Sequence, residues 1–185
     1  MKSVFFTLFI IPLFVGNFFI PFELGTNTNT KDIPSGMKKN NQALFYIERS
    51  KNKNRVYYDA NFDINGIINA EKPIDVYWLN LEENYGKRGE LSFIQEKMAY
   101  GYRSGKISER TFEIKLKAFS KRPLIVLVDI TGKAKAQIKI QGKQAILHHL
   151  FIKATDKGIV TTVQYIELFG IDIYTKTELY EKIII

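Results

Sequence analysis

Over residues 111–118 apolar and charged side chains alternate without a break. Phe112, Ile114, Leu116 and Ala118 fall on one side, Glu113, Lys115 and Lys117 on the other. Only a β-strand sends successive side chains to opposite faces, so this run is a strand with one face in a core and one in water. Ala134–Ile140 repeats the pattern, with Lys135, Gln137 and Lys139 outward. Residues 123–130 are almost continuously apolar, as in a strand covered on both faces. Residues 43–47, 55–60, 74–81, 145–154 and 159–169 also read as strands, and residues 171–185 as shorter strand-like pieces. Turns fall at residues 50–54, Asn65-Gly66, Thr131-Gly132, Gln141-Gly142 and Asp156-Lys157-Gly158. Pro73 opens its strand where no ladder hydrogen bond is lost. The expected fold is mainly β: an antiparallel sandwich or barrel with one α-helix packed on it.

That helix lies in residues 91–102. At 100° per residue, Leu91, Ile94, Met98 and Tyr102 share one side, with Gln95 among them, and predict the core stripe. Phe93 and Tyr100 fall on the opposite side as a thinner aromatic stripe. Gly101 sits where a helix ends. Ser92 and Gln95 have the spacing of a capping box, in which Gln95 reaches back to the helix start. Just before it, Tyr77 and Trp78, the only tryptophan, must face opposite sides of their strand.

The N-terminus reads as an address. Lys2 precedes an apolar run from Val4 to Ile20, broken by Pro12, Gly16 and Asn17. That layout predicts an export signal over residues 1–22, followed by a polar linker over 23–41 and a single β-rich domain over 42–185. If uncleaved, the run is a membrane anchor at the lower edge of bilayer-spanning length. The expected location is the periplasm or the exterior, membrane-tethered only through that segment. Without cysteine the chain has no disulfide, thiolate metal site or cysteine nucleophile. The formal net charge of +8 fits an anionic partner, namely phospholipid headgroups or acidic glycans, or simply a solvated lysine-rich surface. Nucleic acid is not expected: the lysines alternate with apolar residues as the wet face of a sheet, without a basic groove interleaved with aromatics.

Several segments together resemble the family of exported bacterial proteins known as domain of unknown function 4833. They are residues 44–49 followed by Asn52-Lys53-Asn54, residues 73–78, and Glu90-Leu91 through Gln95 to Ala99-Tyr100-Gly101. Residues 144–147, residues 163–170 with Asp172, and Glu181-Lys182-Ile183 complete the set. The order and spacing carry the resemblance, which covers residues 42–185. It implies an exported single domain and no reaction, cofactor or catalytic residue. Lys176 stands where a glycine is expected in the last turn, which puts that turn's geometry in question.

Chemistry is sparse. His148 and His149 are the only histidines, and on a regular strand neighbours point apart, so they would not grip one metal from one side. There is no nucleophile elbow and no phosphate-cradling glycine loop. Paired carboxylates are the remaining route to catalysis, with Glu90, Glu96, Glu167 and Asp172 as candidates for a hydrolase. Glu167 shares its strand face with Val163, Tyr165 and Phe169 and is expected to sit among apolar groups, or else at a β-bulge or in a salt bridge with a Lys or Arg. The balance leans away from an enzyme. No catalytic residue, metal or cofactor is assigned. The leading expectation is a non-catalytic envelope module binding a small ligand, glycan or envelope protein. Its candidate ligand-binding residues are Trp78, Phe93, Gln95, Tyr100, Tyr102 and Glu167. A carboxylate-dependent hydrolase and a structural or membrane-surface protein are the alternatives.

Overall fold

In the computed structural model, residues 41–50, 52–81, 86–157 and 160–185 are described. The expected signal and nearly all of the linker, residues 1–40, lie outside them, as do Gly158 and Ile159. The strands are β1 (Gln42–Arg49), β2 (Asn52–Ala60), β3 (Ile74–Asn80), β4 (Lys87–Glu90), β5 (Tyr102–Ser108), β6 (Thr111–Leu116), β7 (Phe119–Val128), β8 (Ala134–Ile140), β9 (Lys143–Lys157), β10 (Val160–Asp172) and β11 (Glu178–Ile184). One short helix interrupts them between β4 and β5.

All eleven strands belong to one hydrogen-bonded sheet, curled into an open half-barrel. The mainly β expectation holds, but the strands do not separate into two stacked sheets. Long β9 is the stem. Antiparallel β10 covers one of its edges, from Ala145 to Lys157, and carries β11 beyond it. The other edge forks. Residues 143–146 pair antiparallel with β8, and residues 149–152 pair parallel with β1. Two arms leave the fork, β1-β2-β3-β4 and β8-β7-β6-β5.

The core forms where these arms curl toward each other. Ile47, Val56, Tyr58 and Ile74 of the first arm are buried, as are Phe112, Ile114, Leu124 and Ile138 of the second. Burying an aliphatic side chain of this size removes enough apolar surface from water to contribute about 1.5–3 kcal/mol. Two tyrosines join the arms and satisfy backbone groups where the ladders cannot. The Tyr102 hydroxyl donates to Ile74 O at 2.7 Å and accepts from Ile74 N at 3.0 Å. Fully buried Tyr58 donates to Tyr100 O at 2.7 Å.

Two strands escaped the sequence reading for one reason. β4 and β5 have almost wholly exposed side chains, so neither has the alternation that marks a half-buried strand. In the last turn Lys176 adopts φ 60°, the left-handed conformation that favours glycine. Asp172 holds this turn: its Oδ1 accepts from Tyr174 N and Thr175 N at 2.8 and 3.1 Å.

Candidate functional site

The helix differs from its expected form. A single α-turn, Phe93–Gln95 (α1), runs straight into a π-helical turn, Glu96–Tyr100. A π-turn takes in an extra residue, so the 3.6-residue period does not carry across it. The expected stripe is wrong at three positions, of which Met98 and Tyr100 lie in the π-turn. Ile94 and Met98, expected in the core, are 72% and 73% exposed. Tyr100, expected on the back, is in the core at 4% exposure. Phe93 does face solvent, at 74% exposure, while Leu91 is only partly buried.

Gly101 makes the π-turn possible. A Cβ there would lie 2.0 Å from Glu96 O. The capping box is present as expected: Ser92 Oγ accepts from Gln95 N at 3.3 Å, and Gln95 Oε1 accepts from Ser92 N at 2.9 Å. The same Gln95 oxygen accepts from Trp78 Nε1 at 3.3 Å. One side chain thus caps the helix and positions the indole.

Tyr77 and Trp78 do face opposite sides of β3. The indole stands edge-on to the Tyr100 ring, 5.0 Å between centroids, and the Arg49 guanidinium lies 5.8 Å over the same ring. Burial pushes the Tyr100 phenol up, and Arg49 pulls the other way. The Tyr102 phenol is pushed up to about 12, chiefly by burial. Both stay protonated, as hydroxyl donors, near neutral pH.

Trp78 pairs across the ladder with Gly89, which has no side chain to cover the ring. Beside it opens a cleft of about 270 Å³ lined by Asn54, Trp78, Asn80, Lys87, Arg88 and Gly89. A second cleft of about 310 Å³, lined by Glu48, Arg49, Lys53, Arg55 and Leu81, lies at the same end of the arm. Asn54 Oδ1 accepts from Leu81 N at 3.0 Å and ties the two together. The two linings hold five cationic side chains and one carboxylate, Glu48, which Arg55 engages.

Of the six candidate residues, Trp78, Gln95 and Tyr100 form one contact set, and Tyr102 anchors the same helix to β3. Phe93 projects into solvent. Glu167 lies elsewhere, on the opposite face of the sheet. It accepts from Tyr180 Oη at 2.8 Å and lies 3.8 Å from Lys182 Nζ, so the salt-bridge expectation describes it.

Glu90, Glu167 and Asp172 do not converge. Glu167 and Asp172 are five residues apart along β10, about 16 Å at strand rise. Exposed Glu90 pairs with Arg88 on β4, five strands away from β10, roughly 24 Å along the curled sheet at ordinary strand spacing. Glu96 is exposed on the helix. The directly opposed pair is a different one, Asp59 and Asp75 on β2 and β3. Both are buried; Tyr77 Oη donates to Asp59 at 3.0 Å, and Arg88 Nη2 bonds Asp75 at 2.9 Å. Their polar partners read as structural.

The outer face of six strands carries a feature the sequence reading missed. Tyr77, Tyr57, Tyr46, His149, Phe169 and Tyr180 are direct cross-strand partners on β3, β2, β1, β9, β10 and β11. Neighbouring centroids lie 5.8, 5.5, 5.1, 4.2 and 5.2 Å apart. Arg88 and Arg55 lie over Tyr77 and Tyr46 at 4.0 and 4.6 Å. Tyr46 and Tyr57 each sit between two buried residues of their strand; that local signal was available, but the parallel β1–β9 pairing that aligns the rings was not.

The histidines need a correction too. Register slips where Phe169 faces His149 and Gly170 faces Leu147, leaving His148 as a bulge. The bulge puts both rings on the outer face, with Nδ1 atoms 3.1 Å apart. Burial lowers the His149 pKa, and neighbouring His148 lowers it further. Among the described residues no group of three or more His, Asp or Glu could hold a metal ion.

Fold and site together define a mainly β, curled-sheet domain with an aromatic, cation-lined mouth at one end of an arm. The chain belongs to the family described as Domain of unknown function (DUF4833), whose model matches residues 45–182. No curated protein and no solved structure matches it.

Proposed function

We propose that this chain is a non-catalytic binding module of the cell envelope, and that its mouth holds a segment of acidic glycan. One observation carries the reading: an indole uncovered by its cross-strand partner, Gly89, in a cleft that also offers two asparagine side chains and the Lys87 cation. An uncovered indole stacks on the apolar face of a sugar ring. Asparagine amides offer both donors and acceptors to hydroxyls. Lys87, with Arg49 and Lys53 next door, favours carboxylated or phosphorylated sugars over neutral ones. The aromatic ladder is a poorer seat, because its rings cover one another and leave mainly their edges to a ligand.

Trp78 is the only tryptophan, so intrinsic fluorescence reports on the cleft directly. Titration with a muramic-acid-containing peptidoglycan fragment should shift or quench the emission, and more weakly at high salt. Neutral chitotetraose should do neither at the same concentration. Lys87→Ala should weaken the acidic ligand several-fold by calorimetry. Equal response to both sugars, or to neither, removes the proposal.

A further inference from the structure

Phe93, Ile94 and Met98 are three large apolar side chains, each about three-quarters exposed, on one α/π-helical turn. Lys97 projects from the same turn, with Nζ 5.3 Å over the Phe93 ring. The turn's far end is stitched to the β6–β7 connection, where Lys117 N donates to Gly101 O at 2.9 Å and Ala118 N to Ala99 O at 3.1 Å. Beside that seam Arg103, Lys115 and Lys117 line a groove of about 190 Å³ with Leu116 and Ser120. The local acids are Glu96 on the turn, Glu113, which bonds Lys115 at 2.9 Å, and Glu90 just before the turn, which is paired with Arg88 at 3.2 Å. Outside the Glu90–Arg88 pair, four cations against two carboxylates leave this end of the molecule positive.

We infer that this turn is a membrane-docking wedge that inserts Phe93, Ile94 and Met98 into the headgroup region of an anionic bilayer. Area and charge select this occupant. Three side chains of this size present roughly 400 Å² at most, half of the about 800 Å² per partner in a standard protein interface. A bilayer asks for no shape complementarity, and interfacial elements bury their apolar side only about 5–10 Å deep. Lys97, Arg103, Lys115 and Lys117 then lie at the depth of anionic headgroups, where each cation adds to the attraction. This reading is independent of the glycan seat, since it uses none of the cleft residues.

The absence of native cysteine allows a clean test on the full chain. An environment-sensitive fluorophore is attached to Ile94→Cys and, separately, to Ile130→Cys. Ile130 is exposed in the β7–β8 turn, at the other end of β7 from the helix. On adding vesicles of phosphatidylcholine with phosphatidylglycerol, the label at 94 should shift to the blue and be quenched by spin-labelled lipid. The label at 130 should not change. Arg103→Gln with Lys117→Gln should weaken the response several-fold, and Phe93→Ser with Met98→Ser roughly a hundredfold. Vesicles of phosphatidylcholine alone should respond weakly. A label at 94 that stays in water while the chain sediments with vesicles overturns the inference. So does a blue shift that appears without lipid and grows with protein concentration, which would mean a second copy covers the turn. Trp78 emission and the label at 94 are read separately, so failure of the wedge is distinguishable from failure of the glycan seat.

Discussion

The outer aromatic ladder and the helical turn use similar residues to opposite ends. In the ladder, six rings on six strands cover one another, and arginines cover the Tyr46 and Tyr77 rings as well. Stacked cross-strand pairs of this kind stabilise a sheet face that water would otherwise wet. On the turn, Phe93, Ile94 and Met98 have almost no protein neighbours to cover them, and only Lys97 approaches a ring. Exposed aromatics on a sheet are thus no guide to binding unless their faces are open. The ladder stabilises the fold, whereas the turn leaves apolar surface for something else to cover. Substitutions should therefore separate the two regions: large stability effects where rings are covered, small ones where they are not.

The largest effect is expected at the hinge of the turn. Gly101→Ala places a methyl group 2.0 Å from Glu96 O and 2.9 Å from Glu96 C, both backbone atoms of the π-turn. Neither can yield without unwinding the turn that seats Tyr100. The substitution should cost about 2–3 kcal/mol in urea denaturation, the usual scale for overpacking. A cost under about 0.5 kcal/mol would mean that the π-turn reopens as an ordinary α-turn without penalty. In the ladder, Phe169→Ala removes a ring stacked on His149 at 4.2 Å and tilted against Tyr180 at 5.2 Å. A loss of about 2 kcal/mol is expected for a half-buried aromatic with two ring partners. Tyr180 stands at the ladder's end and is more exposed, so Tyr180→Ala should cost less than Phe169→Ala. The reverse order would show that the ladder is not cooperative from its centre.

How much of this was legible depends on where the information lies. Strands with one buried face announce themselves, which is why Ala134–Ile140 was read with the boundaries it has. β4 and β5, Tyr102 apart, bury neither face and so leave no period to find. Met98 and Tyr100 were misplaced because 100° per residue holds only for an uninterrupted α-helix, and the Gly101 that licenses the π-turn reads equally well as an ordinary helix stop. The capping box was legible because it is a contact between residues three apart. The ladder was not, since Tyr46 meets His149 through a parallel pairing a hundred residues away. His148 and His149 show the same limit: adjacent residues alternate unless a bulge intervenes, and this bulge is set by where β9 changes partner from β8 to β1.

That bulge makes the ladder sensitive to acid. The His149 pKa is lowered from the ordinary 6.5, first by burial between Tyr46 and Phe169 and then by His148. Below pH 6.5 the unfolded chain takes up a proton at this position more readily than the folded one. Stability contributed by neutral His149 is therefore complete above that pH and is lost as pH falls below it. His149→Phe keeps the stacking and removes the titration. Between pH 7.5 and 5 the urea midpoint of the parent should fall further than that of the variant. Parallel pH profiles would mean that the ladder accommodates an imidazolium at no cost. Depressed Glu181, held low chiefly by the Arg122 hydrogen bond, titrates at lower pH and does not confuse this window.

The smallest effect is expected where the exposed apolar surface is greatest. Phe93→Ser, Ile94→Ser and Met98→Ser each remove a side chain that covers little of the folded protein. Surface substitutions away from caps and buried contacts usually change stability by less than about 0.5 kcal/mol. The capping box of Ser92 and Gln95 and the buried Tyr100 are untouched by all three. Each variant should therefore keep the parent's urea midpoint, in contrast with Phe169→Ala, and remain as soluble or become more so. Phe93→Ser alone also loses the Lys97 contact, a cation–π pair worth about 0.5–1 kcal/mol at an exposed site, and so marks the upper limit of the series. A loss of 2 kcal/mol or more at Ile94 or Met98 would break the comparison, because it would require those side chains to be covered in solution. A second copy of the chain is one such cover, and sedimentation of the parent and the variant at matched concentrations would reveal it.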